Sequence, residues 1–376
     1  MLVKLKDIAD VTISNVDKKI KENEKKVYLC NFTDVYNNYA ITKKGNINFM
    51  MASASKSQID KFSIKKGYLA ITKDSETRDD IGVGTFFADN FDNLLLGYHC
   101  ALIKPNASLV NSKFLNAYIQ SPFARKYYEL NASGSGQRYT LTSDTIANTP
   151  IYLPAYDVQL KIGNLLSEID KQIERNNAVV KRLQVLSHNI FQFYYSKNDK
   201  KKVKLKDIAT MYQPETITGN DFVSNGKYYV YGSGGIIGKY NKYNHKDSEL
   251  MISCRGKCGN IALSLPFSWI IGNQMIVKPH QIQLKYYLYN YFKIINLYKI
   301  ETGSVQKQIT RSNLEKLEIQ LLNENILLNL ANKLQPIYKQ IIEITINNEK
   351  LNEIKEKLLP LLISQQLIWT KILSKT

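Results

Sequence analysis

The chain repeats part of its own sequence, and this repeat limits the possible folds more than any other feature. The heptapeptide Val-Lys-Leu-Lys-Asp-Ile-Ala occupies residues 3–9 and occurs again, letter for letter, at residues 203–209. An internal repeat at this separation indicates an architecture built from two similar units. We therefore expect each half of the chain to fold around the same framework.

A second pair of similar segments lies towards the end of each half. Residues 134–138 read Gly-Ser-Gly-Gln-Arg, and residues 303–307 read Gly-Ser-Val-Gln-Lys, at an offset of 169. At the same offset, Ser143 matches Ser312. The two openings lie further apart than the two closing segments, so we expect the second globular unit to be shorter than the first.

Between and after these segments, two stretches have the periodicity of long amphipathic helices. Apolar residues recur at alternating steps of four and three, which is the pattern of a coiled-coil seam. An isolated helix of this kind would expose its seam to water, so we expect the two helices to bury their seams against each other. The alternative is that each helix packs on its own globule. The predicted seam residues are Ile162, Leu166, Ile169, Ile173, Val180, Leu183 and Ile190 in the first helix, and Leu330, Leu334, Ile337, Ile341, Ile344, Leu351 and Leu358 in the second.

The globular parts have the mixed signals of α/β structure. Short β-type runs such as Leu250–Ser253 stand beside glycine-rich turns, and residues 111–130 and 281–297 have helical patterns rich in Tyr and Phe. The fold class predicted is therefore α+β, with two mixed α/β globular units alternating with two long helices in an internal pseudo-two-fold repeat.

Charge and hydrophobicity narrow the class of partner. The chain carries 51 Lys and Arg against 33 Asp and Glu, a formal net charge of +18, which favours a polyanionic partner such as nucleic acid. No run of about 18 apolar residues is present to predict a membrane span, and the first residues lack the apolar core of a secretory signal. We therefore expect a cytoplasmic protein without a membrane partner.

Residues that would support catalysis or metal binding are not found in familiar arrangements. Cys254 and Cys258 have the wrong spacing for a zinc site, so no metal ligand is predicted and reduced thiols are expected. Ser233–Lys239 resembles a phosphate-binding loop, but Tyr240 replaces the Ser or Thr that would hold magnesium, and a hairpin turn is the better interpretation. We expect no catalytic residue and no cofactor in this chain.

Polar residues on the predicted loops are suited to nucleic acid instead. Arg, Lys and Gln offer the donors and acceptors that contact phosphates and base edges. For any one of these residues, the alternative interpretation is a solvated side chain on the surface without a nucleic-acid partner. The candidate DNA-binding residues are Lys73, Arg78, Gln137 and Arg138 in the first half, and Arg255, Lys257, Gln306 and Lys307 in the second.

Taken together, these segments resemble the specificity subunit of type I restriction-modification systems. The resemblance is carried by the two heptapeptides, by Ile151–Pro154 before the first long helix, and by residues 229–238 and 252–260, which are similar to that family's target-recognition sequences. It covers residues 1 to about 365. The second half departs from the pattern by lacking the proline of Pro154 and by having Tyr338 where the first half has Asp170.

The resemblance implies a domain order and a set of partners. Each globule would be a target recognition domain for one half of a split double-stranded DNA sequence, and two antiparallel helices forming a coiled coil would set the spacer. Two modification (methyltransferase) subunits would bring S-adenosylmethionine, and restriction (helicase-nuclease) subunits would bring ATP and Mg²⁺. The implied domains are recognition domain 1 at 1–150, a central helix at 151–198, recognition domain 2 at 199–318, a C-terminal helix at 319–365 and a tail at 366–376.

Three other hypotheses remain open from the sequence. The chain could serve a methylation-only system without restriction subunits. It could instead be a basic coiled-coil scaffold that binds RNA or acidic proteins. A nucleotide hydrolase using Ser233–Lys239 is the third.

Overall fold

The chain divides into two compact units. The computed structural model describes residues 1–43, 47–136, 138–223, 226–256, 258–303 and 307–363. Unit 1 consists of Met1–Glu174 together with the chain from Lys350 onwards, and unit 2 consists of Arg175–Glu349. Both boundaries fall inside long helices, so the domain limits implied by the resemblance stay predictions.

Unit 1 combines short strands with helices. Its strands are β1 (Leu2–Lys4), β2 (Ala9–Ile13), β3 (Lys25–Cys30), β4 (Ala40–Ile41), β5 (Met50–Ala54), β6 (Leu69–Thr72), β7 (Asp74–Ser75), β8 (Gly84–Phe87), β9 (Leu94–Leu96), β10 (Cys100–Pro105), β11 (Ser133–Ser135), β12 (Arg138–Thr140) and β13 (Pro150–Tyr152). Its helices are α1 (Phe32–Tyr36), α2 (Lys56–Phe62), α3 (Ser112–Ile119), α4 (Pro122–Asn131), α5 (Ser143–Ala147) and the first part of α6 (Tyr156–Lys197).

The strands of unit 1 form a central sheet and three smaller ones. The central sheet has the order β2-β10-β6-β8-β4, in which β4 joins β8 in parallel and the other pairs are antiparallel. In the sheet β5-β3-β9, β3 is antiparallel to β5 and parallel to β9. Strand β1 pairs with β13, and the closing segment forms the sheet β11-β12-β7.

Unit 2 is built from a similar set of elements. Its strands are β14 (Lys200–Lys204), β15 (Ala209–Tyr212), β16 (Tyr228–Gly232), β17 (Gly235–Tyr240), β18 (Leu250–Ser253), β19 (Ile261–Leu263), β20 (Trp269–Ile270), β21 (Gln274–Pro279) and β22 (Glu318–Leu322). Its helices are the last part of α6, α7 (Leu205–Ile208), α8 (Leu284–Ile294), α9 (Arg311–Glu315) and the first part of α10 (Glu324–Ile363), which ends in unit 1.

The sheets of unit 2 repeat those of unit 1 in order and direction. The central sheet is β15-β21-β18-β19, with every pair antiparallel. The small sheet β17-β16-β20 again has one antiparallel and one parallel pair, and β14 pairs with β22 as β1 pairs with β13. Among the described residues, β4, β7, β11 and β12 have no counterpart strand in unit 2, where an isolated bridge between Thr302 and Gln308 corresponds to the pairing of β11 with β12. The predicted α+β class and internal repeat are thus confirmed.

Strand periodicity explains why each central sheet is covered on both faces. Successive side chains of a strand point to opposite faces. In β6, Leu69 packs in one hydrophobic cluster and Ala70 in another, and in β18 Leu250 and Met251 are divided in the same way. All four residues are buried. Continuous apolar runs in these strands therefore indicate sheets buried on two sides.

The repeated heptapeptide forms the same local structure in both units. Its first residues lie in β1 or β14, and a short helical turn follows. The carboxylate of Asp7 accepts a hydrogen bond from the backbone N–H of Lys4 at 2.8 Å, and Asp207 does the same for Lys204 at 3.2 Å. The leucine after each lysine is fully buried. The identity of the two segments therefore reflects a turn with a capping carboxylate and one core leucine.

In unit 1, the long helices run antiparallel. Leu362 of α10 belongs to the same core cluster as Ile162 and Leu166 of α6. One helical turn further along α6, Asp170 forms a 2.8 Å ion pair with Lys355, which precedes Leu362 in α10. Burial raises the pKa of Asp170 from its ordinary value, although the ammonium of Lys355 opposes this increase.

In unit 2, the helices are also antiparallel and have polar side chains at seam positions. The amide of Asn176 donates to Asn348 at 2.7 Å, and the hydroxyls of Ser187 and Tyr338 lie 2.9 Å apart. The side chain of Asn348 donates in turn to Asn177 at 2.9 Å. Buried polar pairs of this kind favour one register of two helices over others.

Every predicted seam residue is buried or half-buried. Residues in the first turns of each helix are the most buried, and they pack on the globule that precedes them in the chain. Ile162 and Leu166 join the core of unit 1, and Leu330 and Leu334 join that of unit 2. The seam thus packs both on the neighbouring helix and on the globule.

Two sequence predictions for local structure have different outcomes. The helix expected over residues 111–130 is interrupted, because Pro122 lacks the N–H that would continue α3 and instead begins α4 behind the cap Ser121. The hairpin expected near Ser233 is confirmed, since β16 and β17 pair antiparallel. A strand rather than a helix follows this glycine-rich turn, so the phosphate-loop hypothesis is wrong.

None of the described helices is long and apolar enough to cross a membrane.

The burial of α10 leads to a stability prediction. Leu334 is 0% exposed, whereas Leu328 on the same helix is 38% exposed. Leu334→Asp should lower the free energy of unfolding by about 3–5 kcal/mol, because it places an unpaired charge in the core. Leu328→Asp should change it by less than about 0.5 kcal/mol. Urea unfolding of the full chain, followed by circular dichroism, measures both values, and equal losses would contradict the assigned helix face.

Candidate nucleic-acid interface

In unit 1, backbone hydrogen bonds bring three separate segments together at the end of β6. The N–H of Lys73 donates to the carbonyl of His99 at 3.1 Å, and the N–H of Leu141 donates to the carbonyl of Lys73 at 2.7 Å. The residue after β6 is therefore held between the start of β10 and the segment that follows β12.

Unit 2 has the same arrangement at the end of β18. The N–H of Cys254 donates to the carbonyl of Asn273 at 3.0 Å, and the N–H of Ile309 donates to the carbonyl of Cys254 at 3.1 Å. Cys254 therefore takes the place of Lys73, and Asn273 takes the place of His99. The next residue along each chain segment is Asp74 in unit 1 and Arg255 in unit 2. We call these hydrogen-bonded segments the loop frame of each unit.

The closing loops are also equivalent. Ser133 pairs with Thr140 in unit 1, and Thr302 forms a β-bridge with Gln308 in unit 2. The first residue of each pair donates its hydroxyl to the carbonyl of the second, at 3.1 and 3.3 Å respectively. The loop between the paired residues is one residue longer in unit 1.

Each closing loop begins with a glycine in the left-handed region of φ. Gly134 has a φ of 119° and Gly303 a φ of 101°. A Cβ on Gly134 would lie 2.2 Å from the carbonyl oxygen of Arg138, so no other residue fits this turn. The backbone conformation therefore explains why both similar segments begin with a glycine.

The loop-length difference corrects one match made from the sequence. Helices α5 and α9 are capped by Thr142 and Thr310, whose hydroxyls accept from the backbone N–H three residues later. These caps lie 168 residues apart, so Ser143 corresponds to Arg311 and not to Ser312. The offset changes inside the closing loop, where one residue is lost.

Asp74 lies at the centre of a polar cluster in unit 1. Its side chain is 9% exposed. Atom Oδ2 lies 2.9 Å from Lys73 Nζ, 2.7 Å from His99 Nδ1 and 3.2 Å from Arg138 Nη2, and Oδ1 accepts from the hydroxyl of Thr140 at 2.8 Å. Two of the candidate DNA-binding residues, Lys73 and Arg138, are therefore brought together on one carboxylate.

The hydrogen-bond donors around Asp74 determine the pKa of its carboxyl group. Burial by itself would raise the pKa of Asp74, but the hydrogen bonds from His99, Lys73 and Thr140 outweigh it and lower the pKa to about 2. An ionised carboxylate only accepts hydrogen bonds, so the 2.7 Å contact requires a proton on His99 Nδ1. Arg138 Nη2, which lies 3.1 Å from the same nitrogen, must therefore donate to Asp74.

A cavity of about 640 Å³ opens beside this cluster. Asp74, His99 and Arg138 form one part of its lining, and the acids Glu76 and Asp80 form another. Arg78 is exposed, and its guanidinium carbon lies 5.1 Å from the centre of the Tyr139 ring, on the closing loop. The structure thus brings Lys73, Arg78 and Arg138 to one region of unit 1.

In unit 2, the equivalent position presents a cation. Arg255 is exposed and is followed by Gly256, whose φ is 75° and whose added Cβ would lie 2.9 Å from Ser233 Oγ. Lys307 is exposed and lies 3.6 Å from Glu301. A cavity of about 810 Å³ includes Gly256 and Lys307 in its lining.

The cysteines of unit 2 stabilise this loop as buried thiols. Cys258 donates to the backbone carbonyl of Lys307 at 3.0 Å, and Cys254 accepts from Gln213 at 3.2 Å. Burial raises the pKa of both thiols. Neither thiol forms a disulfide in this structure. Within the described ranges, no group of three His, Cys, Asp or Glu side chains could hold a metal ion.

Three candidate residues, Gln137, Lys257 and Gln306, lie outside the described residues. Asp74 and His99 were not predicted from the sequence, because a carboxylate and an imidazole do not by themselves indicate contact with nucleic acid. The one available signal was the Lys73-Asp74 pair at the end of an apolar strand.

A chain with two units that share a backbone frame, but present different charged side chains on it, belongs to the class of internally duplicated proteins. A family model for the type I restriction modification DNA specificity domain matches this chain twice, at residues 1–184 and 197–356. The chain belongs to this family, whose specificity subunits recognise DNA and do not catalyse the reaction.

Two known proteins illustrate the similarity. The type I restriction enzyme HindI specificity subunit of Haemophilus influenzae (strain ATCC 51907 / DSM 11121 / KW20 / Rd) is 25% identical over 185 residues, which are 49% of this chain and 38% of that protein. The chain thus matches well under half of this curated relative. The crystal structure of the type I restriction-modification S subunit from M. genitalium superposes with a TM-score of 0.59 at 14% identity, covering 96% of each chain. This second likeness concerns the fold.

The Asp74 cluster leads to a prediction about pH. The lowered pKa means that the carboxylate stabilises the fold above its ordinary pKa of 3.8 and that this contribution is lost as the pH falls towards 2. Asp74→Asn should therefore lower the free energy of unfolding by about 2 kcal/mol at neutral pH, and the difference should shrink below a pH of about 4.

Urea unfolding of both proteins across this pH range measures the difference. Asp79→Asn, at an exposed carboxylate, is the matched control and should have little effect at any pH. A loss that is the same at low and neutral pH would show that Asp74 acts through its shape rather than its charge.

Proposed function

We propose that each unit of this specificity subunit binds one half of a bipartite double-stranded DNA target. The observation that carries this proposal is the loop frame, which occurs in both units with the same backbone hydrogen bonds and different side chains. Because both units have the same loop frame, we expect both to perform the same task, which is contact with a groove of the duplex. Different side chains suit different base sequences.

The charge of the chain supports a duplex as the ligand. A net charge of +18 lowers the free energy of binding to a phosphate backbone through release of counterions. The exposed guanidinium groups of Arg78 and Arg255 lie beside the loop frames and are available to phosphates or bases. We therefore assign the general attraction to net charge and the choice of sequence to the loop frames.

The two half-sites should differ in sequence. Asp74 of unit 1 is replaced by Arg255 in unit 2, which changes an anion into a cation at the same place in the frame. His99 is replaced by Asn273, which changes an imidazole into an amide. These exchanges alter the charge and the hydrogen bonds that hold the neighbouring side chains in each frame. Because base edges must match the donors and acceptors that the protein presents, the two units should favour different bases.

The helices are proposed to set the spacer and to hold the complex together. Helices α6 and α10 would dock two modification subunits, which would bind S-adenosylmethionine and methylate adenine N6. Restriction subunits, where present, would use ATP and Mg²⁺ to translocate and cut DNA. This chain would supply no catalytic residue and would act in the cytoplasm, where the DNA is.

Two alternatives are separated by simple observations. A methylation-only system would lack a gene for a helicase-nuclease partner beside this one. A basic scaffold for RNA or acidic proteins would bind duplexes of any sequence equally in competition experiments, because charge alone does not distinguish bases.

Mapping of methylated adenines in the source genome, with and without this gene, tests the proposal. We expect a split motif with an unread spacer that disappears when the gene is deleted, because the modification subunits then have no means of choosing a site. An unchanged methylation pattern, with the modification subunit still produced, would contradict the proposed role.

Exchange of one recognition domain tests the assignment of half-sites. Replacing residues 1–150 by the corresponding domain of another family member should change one half of the methylated motif and leave the other half and the spacer as they were. The reciprocal control replaces residues 199–318. A simultaneous change in both halves after either exchange would show that the units do not act separately.

A further inference from the structure

Arg138 combines a fixed position with an available hydrogen-bonding edge. Its Nη2 donates to Asp74 at 3.2 Å, and its side chain remains 60% exposed at the lining of the 640 Å³ cavity. An exposed arginine without a partner would sample many rotamers, whereas this one is tied to a carboxylate that is itself held in place.

We infer that Arg138 reads a guanine in the half-site bound by unit 1, and that Asp74 is the residue that positions its guanidinium. This inference rests on the proposed function, since it requires that unit 1 binds DNA. It adds the residue and the base that the proposed function leaves open.

The bonding of Asp74 shows why it acts on Arg138 and not on a base. Both of its oxygens already accept hydrogen bonds, from Lys73, His99 and Arg138 at Oδ2 and from Thr140 at Oδ1. A carboxylate engaged by four donors has little capacity left for the amino group of a base. Its remaining effect is to orient the donors that surround it.

The charges around the cavity favour a base over a phosphate as the partner of Arg138. Asp74, Glu76 and Asp80 line the cavity together with the cations Lys18 and Arg138, and Asp80 lies 3.5 Å from Arg125. The lining therefore lacks the positive surplus that would attract a phosphate. The edge of a base carries no net charge and needs no such surplus.

The shape of arginine then selects the base. A planar guanidinium offers two parallel N–H groups, which match O6 and N7 of guanine in the major groove. Such a bidentate contact depends on orientation, and the bond to Asp74 provides this orientation. Arg78 differs, because its guanidinium packs on the Tyr139 ring and forms no ion pair with a carboxylate among the described residues.

The test is a map of methylated adenines in source cells that carry single variants of the full chain. Arg138→Ala should make one guanine of one half-site degenerate, with a loss of roughly ten- to hundredfold in preference at that position. Arg138→Lys should have the same effect, because lysine keeps the charge and loses the planar fork. The other half of the motif should be unchanged.

A matched control separates base recognition from general charge. Lys126 is also 60% exposed, and its ammonium lies 2.8 Å from Glu129 on the same helix, outside the lining of the cavity. Lys126→Ala removes one positive charge of equal exposure from unit 1. It should leave the base preference at every position of the motif as in the wild type.

The role of Asp74 is tested by combining variants. Asp74→Asn should weaken the preference for the same guanine, and it should add nothing in the Arg138→Ala background, because its effect passes through Arg138. A merely structural Asp74 would weaken binding to all sequences alike. Thermal unfolding of each purified variant shows whether the chain is folded.

Each result is decisive. Uniform weakening at all positions in Arg138→Ala, with Arg138→Lys like the wild type, would identify a phosphate contact and overturn the inference. An unchanged motif in both Arg138 variants would overturn it as well, while the proposed function would stand. A wild-type genome without any motif that depends on this gene would refute the proposed function itself.

Discussion

Each globule is closed by pairing of its first strand with the strand that leads into a long helix. Val3 lies opposite Ile151, and Val203 lies opposite Ile319. This pairing joins the two ends of the globular segment, so everything between them must leave and return to the same place. It also fixes where α6 and α10 begin. The heptapeptide is repeated because both units need this closure, and the turn after it buries a leucine in the core.

The features that the sequence predicted are those with local signals. The helices follow from a periodicity of four and three that persists over many turns, and the closing loops follow from a glycine at a φ that only glycine adopts easily. The closing loops also show where such signals fail. Sequence comparison carried one offset through the loop, and only the caps Thr142 and Thr310 reveal that a residue is lost within it.

The polar cluster of unit 1 was beyond prediction for a different reason. Asp74, His99 and Arg138 come from three segments that are distant in sequence, and nothing in any one segment indicates that it meets the other two. The sequence indicated Arg138 as a free cation for DNA, but the folded chain ties it to a carboxylate with a lowered pKa. Contacts of this type depend on which strands become neighbours and in which register, and the residues next to Asp74, His99 and Arg138 in sequence do not specify either.

The loop frame explains how such a protein can change what it recognises without losing its fold. The hydrogen bonds at the ends of β6 and β18 join backbone groups, so they form equally well with Lys73 or Cys254 and with His99 or Asn273. Side chains on the frame can therefore be exchanged without breaking these backbone hydrogen bonds. Packing residues of the strands below have no such freedom, because they are buried on both faces of the sheet. Separation of backbone support from side-chain recognition is thus a direct consequence of where these hydrogen bonds lie.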